Sequence, residues 1–144
     1  MRDVLDRVFE LQRAYLDHMR QSLGADCAHP RQGPILCLLL QSEGVSQADL
    51  MRSLGVSAAT VAISIGRLVR LGYVRRQRNP HNSRAYLLSL TADGRMQAER
   101  LRMAMRGAGE AAALGISDAE LAQFCALLAR LTDNLRGLDE AKEA

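Results

Sequence analysis

Residues 45–94 read VSQADLMRSLGVSAATVAISIGRLVRLGYVRRQRNPHNSRAYLLSLTADG, and this stretch decides the fold. Ser46-Gln-Ala-Asp49 has the form of a capping box, with Asp at the position Glu usually takes. A short helix carrying Leu50, Met51 and Leu54 follows, and Gly55 closes it. Ser57 caps a second helix that reaches Leu71, and Gly72 ends it. Two helices joined by a turn of about three residues with a Gly in it make a helix-turn-helix. After Gly72 the helical period gives way to strand-like segments, Tyr73–Gln77 and Arg84–Leu90, separated by the turn formers Asn79-Pro-His-Asn-Ser83. A helix-turn-helix followed directly by a basic hairpin is a winged helix. Its second helix enters the major groove of a duplex, and the hairpin reaches along the backbone or into the minor groove.

The same stretch is where the positive charge sits. From Leu50 to Ala92 there is no acidic residue, yet the segment holds Arg52, Arg67, Arg70, Arg75, Arg76, Arg78 and Arg84. The chain has 19 basic and 16 acidic residues, a formal +3, so outside these seven arginines 12 basic residues face 16 acidic ones, a balance of −4. Charge segregated this sharply gives a directed electrostatic surface and points to a polyanion, with nucleic acid first. A membrane surface fits less well, because the arginines do not lie along one amphipathic helix. Lys142 is the sole lysine, and arginine's planar fork suits phosphates and guanine edges. Aromatic residues make up only 3% of the chain, which argues against a platform that stacks single-stranded bases.

Outward from the winged helix the chain reads as helical. Val4, Val8, Leu11 and Tyr15 recur at helical spacing, as do Leu5, Leu16, Met19 and Leu23, giving a helix over residues 2–23 with two apolar stripes. The run Ile35-Leu-Cys-Leu-Leu-Leu40 belongs to a helix from Pro30 or Pro34 to Ser42 that is apolar almost all round, which places it at the centre. Thr91 caps a helix extending to about Leu114. Ser117-Asp-Ala-Glu120 is a full capping box ahead of a stripe of Leu121, Phe124, Cys125, Leu128, Leu131, Leu135 and Leu138. From Asp139 the tail is expected to fray. No apolar run reaches the roughly 20 residues of a membrane span, and the charged N-terminus does not read as a signal peptide, so a cytoplasmic protein is expected. Length suggests a single domain.

The stretches VSQADLMRSLGVSAATVAISIGRLVRLGYVRR and RNPHNSRAYLLSLTADG, with helices on both sides, resemble the MarR family of bacterial transcription regulators over nearly the whole chain. That resemblance implies a mainly α protein with a small β-hairpin, a winged helix-turn-helix with N- and C-terminal dimerisation helices. Residues 1–144 would form one such domain: 1–28 and 115–144 for dimerisation, 30–92 for the winged helix-turn-helix and 92–114 connecting them. It also implies a homodimer that binds double-stranded DNA at a pseudo-palindromic site, often as a repressor, with a small-molecule effector or oxidant altering the binding.

The candidate DNA-binding residues are Ser46 and Gln47 at the start of the first helix of the motif, and Ser57, Ala59, Thr60, Ala62, Ile63, Arg67 and Arg70 on the second. Arg75, Arg76, Arg78 and Arg84 add the wing. Val61, Ile65 and Leu68 sit at i, i+4 and i+7 and face the core, which turns Ile63 outward. Many family members carry a Thr-Arg-like pair where this chain has Ala62-Ile63. Ala and Ile can pack only on thymine methyls, so specificity is expected to lean on those, on Arg67 and on DNA shape. Arg75 and Arg76 point to opposite faces of their strand, so at most one of them meets the same phosphate track as Arg78. Where the family's hairpin often carries Asp-x-Arg, this chain has Asn82-Ser83-Arg84. Asn82 can accept a hydrogen bond from the Arg84 guanidinium without neutralising it.

Family members usually have an effector pocket, and its candidate lining is Tyr15, His18, Met19, Leu36, Leu40, Met96, Met103 and Met105, set against the alternative that these residues are plain packing. Cys27, near His29 and Arg31, is the candidate for redox sensing, while Cys37 and Cys125 fall on apolar stripes. No ligand spacing for a metal, no cofactor motif and no catalytic constellation is found, so an enzyme is not expected. Two other functions are open: a winged-helix protein-interaction or antagonist module that has lost specific operator binding, suggested by Ala62-Ile63, and an RNA-binding winged helix.

Overall fold

The computed structural model describes residues 3–24 and 32–143, with side chains as far as Gly137. Along these residues run α1 (Val4–Leu23), α2 (Gly33–Gln41), β1 (Val45–Ser46), α3 (Gln47–Leu54), α4 (Ala58–Arg70), β2 (Val74–Asn79), β3 (Asn82–Leu90), α5 (Ala92–Ala112) and α6 (Asp118–Glu143). The protein is mainly helical with one small antiparallel sheet, a winged helix as the sequence implies.

Side chains that satisfy free backbone donors fix the helix starts. At α3 the Ser46 hydroxyl accepts from the Asp49 N–H at 3.1 Å, and the Asp49 carboxylate accepts from the Ser46 N–H at 3.1 Å. The hydrogen bonds from Ser46, with Arg52 beside it, hold the Asp49 carboxyl below its usual pKa. Gly55, at φ 62°, ends α3 in the left-handed region that a side chain resists. Ser57 accepts from the Thr60 N–H at 3.2 Å to start α4. Ser117 and Glu120 repeat the capping box at α6, and the Ser117 donors lower the Glu120 pKa.

The sheet has the order β1-β3-β2. Strand β1, which the sequence does not announce, pairs Val45 with Leu88 and Ser46 with Leu87. The hairpin is longer than expected and its turn shorter. Pairing runs from Val74↔Leu90 to Asn79↔Asn82, with an irregularity at Arg78/Asn79, leaving Pro80-His81 at the tip. The Asn79 side chain accepts from the His81 N–H at 2.9 Å, and Asn82 from the Arg84 N–H at 3.1 Å, so both asparagines act as turn formers from strand ends. Helix α6 continues to Glu143, past the expected fraying point at Asp139.

One apolar cluster gathers Met19 and Leu23 of α1, Ile35, Leu36 and Leu39 of α2 and Leu50 of α3. Val61, Ile65 and Leu68 of α4, Val45, Val74, Leu88 and Leu90 of the sheet, and Ala98, Leu101 and Ala108 of α5 complete it. Burial of each large side chain stabilises the fold by about 1.5–3 kcal/mol.

The root of the wing is clasped to the first turn of α5. The Thr91 hydroxyl donates to the Gly72 carbonyl at 2.6 Å and accepts from the Gly94 N–H at 3.0 Å. The Thr91 N–H donates to the Tyr73 carbonyl at 3.0 Å. A Cβ on Gly94 would lie 1.8 Å from that same Tyr73 oxygen, so the contact requires glycine.

By density of contact the chain forms two compact units, Met1–Ala108 and Gly109–Ala144. The first contains the winged helix. In the second, Phe124, Leu127, Leu131 and Leu135 of α6 are exposed, and Cys125 with them. The first unit likewise leaves Val4, Phe9 and Leu11 of α1 in solvent. Among the described residues no single helix is long and apolar enough to cross a membrane.

Candidate nucleic-acid interface

Helix α4 is anchored on one side by Val61, Ile65 and Leu68, all fully buried. At about 100° per residue the opposite side carries Ala59, Thr60, Ile63, Gly66, Arg67 and Arg70, with Ala62 at its margin. Ile63 is 67% exposed. The nearest hydroxyls are tied to each other: Ser57 Oγ and Thr60 Oγ1 lie 2.9 Å apart, and Ser57 also holds the cap. A Cβ built on Gly66 meets nothing within 4 Å. Nothing inside the molecule therefore calls for glycine there, although mid-helix glycine costs about 0.5–1 kcal/mol relative to alanine.

In the wing, strand alternation and the β2–β3 register put Val74, Arg76 and Arg78 on one face and Arg75 and Gln77 on the other. Arg76 and Arg78 thus share a track, and Arg75 does not. Arg76 and Arg84 line a groove of about 480 Å³ together with Ser46, Gln47, Ala48, Asn79, Asn82, Ala85, Tyr86 and Leu88. The wing and the N-terminus of α3 meet in this groove, which brings two arginines to the sequence-predicted Ser46 and Gln47. The Ser46 hydroxyl is already engaged, donating to the Asp49 carboxylate at 2.6 Å, so Gln47 is the freer polar group of the pair.

Of the seven arginines, Arg52 is paired with Asp49 across one helical turn. Among the described residues no ion pair is formed by Arg67, Arg70, Arg75, Arg76, Arg78 or Arg84, each of which is exposed. The Asn82 oxygen accepts from the backbone N–H of Arg84 rather than from its guanidinium, so that guanidinium is not oriented from within the chain. Sequence reading missed Tyr86 and Asn79. Tyr86 shares the strand parity of Arg84 and Leu88, a signal the alternation already contained.

The candidate effector residues divide into two groups. Met19 and Leu36 are buried in the core, and Tyr15, Leu40 and Met105 pack against it. His18 is exposed, as are Met96 at 66% and Met103 at 71%. Near the first group, Cys37 Sγ lies 4.0 Å from Met105 Sδ, and burial raises the pKa of the Cys37 thiol and of Tyr15. Gln32, buried ahead of α2, has a side-chain oxygen without a hydrogen-bond partner among the described residues. Cys27, with His29 and Arg31, and the Leu138 side chain lie outside the described residues. Among those described, no group of three or more His, Cys, Asp or Glu could hold a metal ion.

Comparison with known proteins agrees with this geometry. A profile of the MarR family matches residues 29–85. The HTH-type transcriptional regulator YdgJ of Bacillus subtilis is 27% identical over 105 residues, 73% of this chain and 64% of that protein, so the match spans less than two thirds of the relative. The PcaV transcriptional regulator of Streptomyces coelicolor, in complex with its natural ligand, superposes with a TM-score of 0.81 at 24% identity, covering 92% of this chain and 93% of PcaV. A mutant of MarR from E. coli, complexed with operator DNA, gives a TM-score of 0.77 at 20% identity over 88% of this chain and 91% of MarR. At these identities the structural likeness is one of fold.

Proposed function

We propose that this chain, whose residues 29–85 match the MarR family, is a cytoplasmic homodimer that binds duplex DNA sequence-specifically and represses transcription until a small effector releases it. The observation that carries the reading is the set of six arginines that, among the described residues, have no acidic partner, spread over the end of α4 and the wing beside the exposed Ala59 and Ile63 of α4. The recognition helix would lie in the major groove, with Arg76, Arg78 and Arg84 on the flanking backbone or minor groove. The exposed apolar residues of α1 and α6 support self-association, since patches of this kind are uncommon on a monomer's surface. The effector rests on the partly buried Tyr15, Leu40 and Met105, on the Gln32 oxygen that has no partner among the described residues, and on the ligand complex of the PcaV neighbour.

Selection of bound duplexes from a random library tests the proposal. The expected product is a palindrome with half-sites about one helical turn apart, bound by two copies. Binding that follows no sequence, or preference for structured RNA, refutes it. Retention of a partner protein with no duplex affinity at moderate salt would instead make the chain an interaction module.

A further inference from the structure

Helix α4 contains no Asn, Gln, Asp or Glu. It therefore lacks the side chains that pair bidentately with adenine or accept from cytosine. Its centre presents a β-branched side chain, Ile63, two-thirds exposed and flanked by Ala59 and the open Gly66. A β-branched chain has few rotamers to lose and offers a firm apolar surface. Thr60, the nearest hydroxyl on this face, is engaged with Ser57. The arginines on the same helix, Arg67 and Arg70, lie one and two turns further along. A duplex drawn in by them would meet Ile63 first with whatever apolar group the major groove offers. The only such group on DNA bases is the C5-methyl of a pyrimidine.

We infer that Ile63 reads the C5-methyl state of a pyrimidine in each half-site, with Ala59 and Gly66 allowing the helix to approach that closely. The site would then distinguish thymine from uracil, and 5-methylcytosine from cytosine, at one position. Cytosine methylation of the target would tighten binding where a cytosine occupies it. This inference rests on the duplex-binding reading above and specifies what the helix recognises.

The test uses the full-length protein and a duplex selected by it. Each thymine is replaced in turn by deoxyuridine, which removes the methyl and leaves every hydrogen-bonding group in place. At one thymine per half-site, binding should weaken about fourfold, the effect of losing one buried methyl. Placing cytosine or 5-methylcytosine at that position should show the same factor in favour of the methylated base. Ile63→Ala, at a surface site that leaves the core intact, should bind the thymine and uracil duplexes equally, with an unchanged melting temperature. Indifference of the parent protein to every methyl overturns the inference and leaves duplex binding standing. A methyl effect that persists in Ile63→Ala likewise assigns the reading to another residue. A parent protein that selects no duplex overturns both.

Discussion

Helices α4 and α6 both hold bulky apolar side chains in solvent, but in opposite settings. On α4 a single isoleucine stands among small residues, with Arg67 and Arg70 following it. On α6 Phe124, Leu127, Leu131 and Leu135 repeat down the helix, and charge lies between them rather than beside one of them. One apolar point in a cationic field suits a polyanion that carries an occasional methyl. A repeating apolar stripe suits a protein surface, and a second copy of the same helix is the most economical supplier. Hydrophobic exposure alone therefore does not identify a partner; its spacing and its charged neighbours do.

The comparison breaks most sharply at α6. Leu131→Asp with Leu135→Asp should convert a two-copy species to single copies on sizing. Duplex affinity should fall by about a hundredfold or more, because the half-sites lose their linkage. A mass and affinity unchanged from the parent would show that the stripe is not the interface. On the other side of the comparison, Arg76→Ala with Arg84→Ala should weaken duplex binding at low salt. The double variant should also flatten the log–log salt dependence by about 1.8 per protomer, roughly 0.9 for each phosphate contact removed. An unaltered slope would mean that these guanidiniums stay hydrated in the complex.

Gly66→Ala sharpens the reading of α4, since stability and binding should move in opposite directions. Thermal unfolding should show a gain of about 0.5–1 kcal/mol, while anisotropy titration shows a several-fold loss of affinity from the added methyl. Improvement in both would remove the close-approach argument. The smallest effect concerns pH. Asp49 and Glu120 have pKa values held below their unfolded ones by the Ser46 and Ser117 donors. Their stabilising contribution is therefore complete above the unfolded carboxylate pKa and disappears as pH falls through the lower folded values. Asp49→Asn should reduce the acid-dependent part of the melting curve below about pH 4, and an identical pH profile would deny the capping box that role.

Much of the winged helix was legible because its signals are local. Ser46, Ser57 and Ser117 mark helix starts, Gly55 and Gly72 mark stops, and the positions of Val61, Ile65 and Leu68 set the phase that turns Ile63 outward. Strand β1 was not legible, because two residues are too few to show an alternation and its definition lies in pairing with Leu87 and Leu88. The hairpin turn was misjudged in length because asparagine serves equally in turns and at strand ends, and only the cross-strand register separates the two. The methionines of α5 were grouped by composition. Yet Met96 and Met103 are seven residues apart on one side of the helix, whereas Met105 lies about 200° round from Met103. Phase would have separated the one that packs inward from the two that do not.

The Thr91 clasp with its glycine at position 94 has a mechanical consequence. It rivets the end of α4, the foot of the hairpin and the opening turn of α5 at one point, with no room for a side chain as a spacer. Neither α4 nor the hairpin can swing without the other. Any tug delivered along α5 lifts both at once, like two tines on one fork.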